Sequence, residues 1–122
     1  MTRLERSARL RERRDYVRVQ RTASRSQSRH FILLTAKRPK FLESVEGPRL
    51  GITASKKVGN AVARNRIKRR LRAWFREVRE DVVDRDFVVI ARRGAPELSY
   101  PELVAQLSEV LPQRAAREND RS

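Results

Sequence analysis

Apolar positions change their spacing along this chain, and the changes predict its elements. In "RERRDYVRVQR", Tyr16 and Val19 lie three apart with Val17 nearby, which predicts a short helix with one weak apolar face. "TASRSQS" is polar throughout and reads as a turn-like linker. "RHFILLTAK" is rich in Phe, Ile and Leu and reads as a strand. "RPKFLESVEGP", with Pro39, Gly47 and Pro48, reads as a surface loop. "RLGITAS" alternates Leu50, Ile52 and Ala54 with Gly51, Thr53 and Ser55, the period of a half-buried strand. These two strands and their loop suggest a hairpin.

In "KKVGNAV", Gly59 and Asn60 are turn residues leading into a long helix over Val62 to Glu80. "RDFVVIARR" is the clearest strand. In "SYPELVAQLSEVL", Ser99 and Glu102 fit a capping box, and Leu103, Leu107, Val110 and Leu111 form a stripe, so a last helix is expected. The order is α-β-β-α-β-α, with room for a further short strand in the first half. That mixture predicts an α+β fold: a single-domain α/β sandwich around a central mixed sheet. Residues 1–10 read as a basic flexible arm, 11–111 as the folded domain and 112–122 as a polar tail.

On a wheel of 100° per residue, Ala63, Ile67, Leu71, Trp74 and Val78 of the long helix share a narrow arc, with Phe75 at its edge. This face is expected to pack on the sheet. The remaining faces are basic. Lys56 to Arg79 holds ten Lys/Arg and one acid, Glu77, and Arg64 to Arg76 holds none. A solvated charged face would interleave acids at i+4, because such pairs stabilise helices. Here like charges crowd one another, which points to a phosphate-bearing partner. Lys56, Lys57 and Gly59 also precede the helix N-terminus, whose free amides and positive dipole end favour anions. Trp74 and Phe75 lie on the apolar arc and read as core. Tyr16, near Arg18, divides evenly between a core role and contact with bases.

Composition extends this picture to the whole chain. Its 122 residues suit one domain, and its net charge of +15 exceeds what solubility requires. Nucleic acid is the first partner implied and an anionic membrane the second. No cysteine is present, so disulfides and thiolate metal sites are excluded. No apolar run approaches transmembrane length, and "MTRLERSARLRERRD" lacks the apolar core of a secretory signal, so a cytoplasmic protein is expected. His30 stands alone, and the acids show no paired arrangement for holding two metals. A protein-borne catalytic site and a protein metal site are therefore not expected.

"ARNRIKRRLR" at 63–72 resembles the signature of the protein subunit of bacterial ribonuclease P, an Arg-Asn-Arg core followed by basic residues on a helix. "SKKVGNAV", "LGITASKK", "DFVVIAR" and "LRERRDYVRV" match the same family in order, over roughly residues 9 to 111. The resemblance implies a sandwich like that of a ribosomal protein domain, with a left-handed β-α-β crossover. It also implies that the protein binds a catalytic RNA subunit and the single-stranded 5′ leader of precursor tRNA. The RNA would cleave, with magnesium held mainly by the RNA, and no obligate protein partner is implied. Carried over, Arg64, Asn65, Arg66, Lys68, Arg69 and Arg72 fit the RNA-binding helix, and Lys56 and Lys57 fit the loop before it. Tyr16 takes the aromatic leader-contact position, and Arg18, Arg29, His30 and Phe31 lie in or near the expected cleft. Gln20 departs from the family, where some members carry a second aromatic. His30 and Phe31 alternate faces of a strand, so at most one can face the cleft.

Other classes stay open on residues alone. A structural RNA-binding protein would share the charge and fold but needs no leader cleft. A stand-alone nuclease lacks an acid/base constellation. A membrane-surface protein would need an apolar face left free of the sheet.

Overall fold

The computed structural model describes residues 8–10, 12–37 and 47–111. The elements are α1 (Arg13–Thr22), β1 (Ser24–Gln27), β2 (Phe31–Ala36), β3 (Arg49–Thr53), α2 (Ala61–Val78), β4 (Asp86–Ala91) and α3 (Tyr100–Val110), with short 3-10 turns at Arg79–Asp81 and Ala95–Glu97. They form one α+β domain around a four-stranded mixed sheet in the order β1-β2-β4-β3. β1 and β4 pair antiparallel with β2, whereas β3 pairs parallel with β4.

β4 decides the topology. Five of its six residues in "DFVVIA" are buried, on both faces, so the strand belongs in the middle of the sheet. It therefore separates the two strands expected to form a hairpin. β3 instead reaches β4 through α2, as a parallel pair requires a crossover. The hairpin partner of β2 is β1, formed by the segment read as a linker. "SRSQ" is fully exposed and carries no hydrophobic signal; only its backbone pairing with β2 makes it a strand.

The pleat divides the core in two. Phe31, Leu33, Leu50, Phe87 and Val89 face α2 and α3, where they meet Ile67, Leu71, Trp74, Phe75, Leu103 and Leu107. Leu34, Ala36 and Val88 face the other way, toward Leu10 and Val19. Ile67, Leu71 and Trp74 occupy the α2 face the wheel predicts, and Phe75 is fully buried rather than marginal. α3 has the expected capping box, with Ser99 Oγ accepting from the Glu102 amide and the Glu102 carboxylate accepting from the Ser99 amide.

The expected arm ends earlier than its composition suggests. Ala8 and Leu10 are buried, and the Leu10 amide donates to the Leu50 carbonyl at 2.8 Å, which covers the outer edge of β3. Residues 1–7, residues 38–46 of the expected loop and the tail from residue 112 lie outside the described residues.

Candidate nucleic-acid interface

The long basic helix starts on a defined cap. Asn60 is extended, and its Oδ1 accepts from the Ala63 amide at 2.9 Å, so this residue is a helix cap as well as a turn residue. The turn before it is pinned by buried Val58, and Lys56 and Lys57, which precede it, stand exposed. No acid occupies the first turn of α2. Free amides, the helix dipole and two lysines therefore converge where an anion would be stabilised.

Along α2 the expected cations fall into distinct environments. Asn65, Arg66 and Arg69 are exposed, and Arg64, Lys68 and Arg72 are half-buried on the flank. Arg70 and Arg79, members of the same run, brace the fold: Arg70 Nη1 donates to the Leu98 carbonyl at 2.6 Å and Arg79 Nε to the Pro48 carbonyl at 3.1 Å. Trp74 is core.

Tyr16 closes the edge of β3. Its hydroxyl accepts from the Ile52 amide at 3.1 Å and donates to the Leu10 carbonyl at 3.2 Å. The ring lies against Gly51, where an added Cβ would come within 2.8 Å of it, so this strand position requires glycine. Burial pushes the Tyr16 phenol above its ordinary pKa, against the Ile52 amide and the positive charge of Arg72, which favour the phenolate.

Phe31 is not a surface contact. It is fully buried on the α2/α3 face, opposite α1, because the pleat turns it inward. Arg29 is exposed in the β1–β2 turn. His30 ties that turn to α3: Gln106 Oε1 accepts from the His30 amide, and Gln106 Nε2 sits 2.8 Å from His30 Nδ1.

Arg18 belongs to an ionic cluster that sequence patterning missed. Asp86, fully buried at the first position of β4, accepts two hydrogen bonds from Arg49 at 2.8 and 2.7 Å and a third from Arg18 Nη2 at 2.5 Å. Arg18 also bonds Asp15 and the Lys37 carbonyl. Burial opposes ionisation of Asp86, but the hydrogen bonds from Arg49 and Arg18 outweigh it and hold the carboxyl below its usual range. An acid opening the most apolar strand was the one available signal in the sequence. Among the described residues, no group of three or more His, Cys, Asp or Glu could hold a metal ion, and no helix is long and apolar enough to cross a membrane.

This arrangement has relatives. The family model described as Ribonuclease P matches residues 4–115. The chain belongs to the ribonuclease P protein family. It is 38% identical over 108 residues to the ribonuclease P protein component of Macrococcus caseolyticus, covering 88% of this chain and 90% of that protein. It is 35% identical over 109 residues to the component of Syntrophus aciditrophicus, covering 88% and 87%. Among solved structures, the RNase P protein of Staphylococcus aureus superposes with a TM-score of 0.75 at 31% identity, covering 84% of this chain and 91% of that one. The RNase P protein of Thermotoga maritima gives 0.71 at 29%, covering 83% and 92%. The α+β architecture above is thus the architecture of ribonuclease P proteins.

Proposed function

We propose that this protein binds a catalytic RNA subunit through α2 and the 5′ leader of precursor tRNA on its α1 side, assisting RNA-catalysed removal of the leader in the cytoplasm. The observation that carries the reading is the acid-free face of α2, where Asn65, Arg66 and Arg69 stand exposed above an independently packed core in a ribonuclease P protein. With Lys56, Lys57, Arg64, Lys68 and Arg72 they form the RNA-binding set. If about six to eight cations each neutralise a phosphate, log K falls with log salt with a slope of roughly −4 to −7.

The leader set is narrower than the resemblance implies. Tyr16 contributes its ring with its hydroxyl already engaged, Arg29 contributes a free-standing charge, and Phe31 drops out. Arg18 acts from a fixed position. Magnesium is the proposed cofactor, held mainly by the RNA partner. There it would supply charge neutralisation for phosphodiester cleavage.

The test is cleavage of a precursor tRNA by the cognate catalytic RNA at low magnesium, with and without the protein, using long and truncated leaders. Stimulation that shrinks with the short leader is expected. RNA binding without stimulation on either substrate would replace the proposal with a structural RNA-binding role.

A further inference from the structure

At the end of the sheet farthest from the α2 N-terminus lies a notch that the interface above leaves unused. α1 ends there, β1 begins, β2 ends and β4 begins. Arg18, Thr22, Ser24, Thr35, Lys37 and Arg85 line it. The lining brings together three cations and three hydroxyls, with no carboxylate among them.

Arg18 is the built part of this notch. Asp86, Asp15 and the Lys37 carbonyl hold its guanidinium in place, and the two acids balance the charges of Arg18 and Arg49 together. The surplus positive charge comes from Lys37 and Arg85. Lys37 is exposed and Arg85 half-buried, and neither forms an ion pair among the described residues. Adjacent unneutralised cations raise the energy of the free protein and lower that of an anion complex. The Ser24 and Thr35 hydroxyls add rotatable donors, while that of Thr22 donates to the Arg18 carbonyl. Several donors converging with two cations suit a phosphate group, whose oxygens accept from many directions.

Topology places this notch relative to the first cationic site. β3 and β4 run parallel, away from the notch, and β3 leads through Thr53 to the turn holding Lys56 and Lys57. The two sites therefore lie at opposite ends of the sheet. The six residues of β4 set the separation at about 20 Å.

We propose that the notch is a second phosphate site, and that it holds a backbone phosphate of the single-stranded RNA crossing the α1 side of the sheet. The proposal rests on the leader reading above and adds a distal anchor to it. A leader too short to span the sheet engages only the α2 end. A longer one gains the notch as well.

The test uses the full-length Lys37→Ala/Arg85→Ala variant assembled with the catalytic RNA, and precursors of graded leader length. Neither side chain belongs to the buried core, and the Arg85 hydrogen bonds to Val83 and Arg49 are made by its backbone, so the circular dichroism melt should match that of the parent. The parent's affinity should rise once the leader reaches a threshold length. The variant should lose roughly tenfold in affinity, the size of a charge-assisted contact, on leaders beyond that threshold alone. Its salt slope there should be about one smaller. Lys37→Arg/Arg85→Lys should retain the gain. Equal loss on short and long leaders would place the contact on the catalytic RNA and overturn the proposal, as would no loss on either. If the parent gains nothing from leader length, the leader reading falls and takes the notch with it. If parent and variant gain equally, the notch alone falls.

Discussion

Replacing Asp86 by Asn removes the single negative charge to which both Arg49 and Arg18 donate, at a position with no solvent exposure. Arg49 is itself buried and cannot turn to water, so it keeps its charge with Asp15, 3.7 Å away, and the more distant Glu12 left to oppose it. Removing one partner of a buried ion pair costs about 3–5 kcal/mol, because the charge left behind remains desolvated. For a domain of this size each kcal/mol moves the midpoint by about 3–5 °C, so Asp86→Asn should melt roughly 10–20 °C lower. Urea titration followed by Trp74 fluorescence and by circular dichroism gives the free energy and tests two-state behaviour together. Acid adds a second readout. The folded carboxyl ionises at a lower pH than the unfolded reference of about 3.9, so its contribution is complete above that value and is lost as pH falls through the lower folded pKa. The variant should lack this part of the acid limb. A cost below about 1 kcal/mol with an unchanged acid limb would refute the view that Asp86 joins α1 to the sheet.

Two further perturbations probe the α1 side. Gly51→Ala drives a methyl into the Tyr16 ring and should cost about 1–3 kcal/mol in urea titration; Thr53→Ala, on the same strand without that contact, should cost less. The phenols of Tyr16 and Tyr100 are both raised, mainly by burial, so ultraviolet titration of the folded protein should show neither at the ordinary value near 10. Because the raised group binds its proton more tightly when folded, stability should be full below about pH 10 and decline above it; a tyrosine titrating normally in folded Tyr16→Phe would contradict the shift at Tyr100.

Much of this protein is legible locally. The period of apolar residues in α2 locates Ile67, Leu71 and Trp74 in the core, and the Ser99–Glu102 spacing marks the start of α3, because helix faces and caps depend on residues a few positions apart. The acid-free run from Arg64 to Arg76 likewise marks a surface of unneutralised positive charge, since repulsion along one helix is a local quantity. The pairing of strands is different. "SRSQ" becomes β1 only because β2 presents unpaired backbone groups to it, and no side chain in that segment records the fact. β4 parts β2 from β3 by pairing with both, and its placement depends on strands distant in sequence.

The candidate site divides in the same way. Sequence alone settles which residues carry charge and which face of α2 bears it. The tertiary structure decides which of those charges are free: Arg70 and Arg79 brace loops, Arg18 serves Asp86, and Phe31 is turned into the core. The hydrogen-bonded partners are distant in sequence: Leu98 lies 28 residues from Arg70, Pro48 lies 31 from Arg79 and Asp86 lies 68 from Arg18. A cation or ring is committed by what the fold sets against it, and that neighbour is not written in the residues beside it.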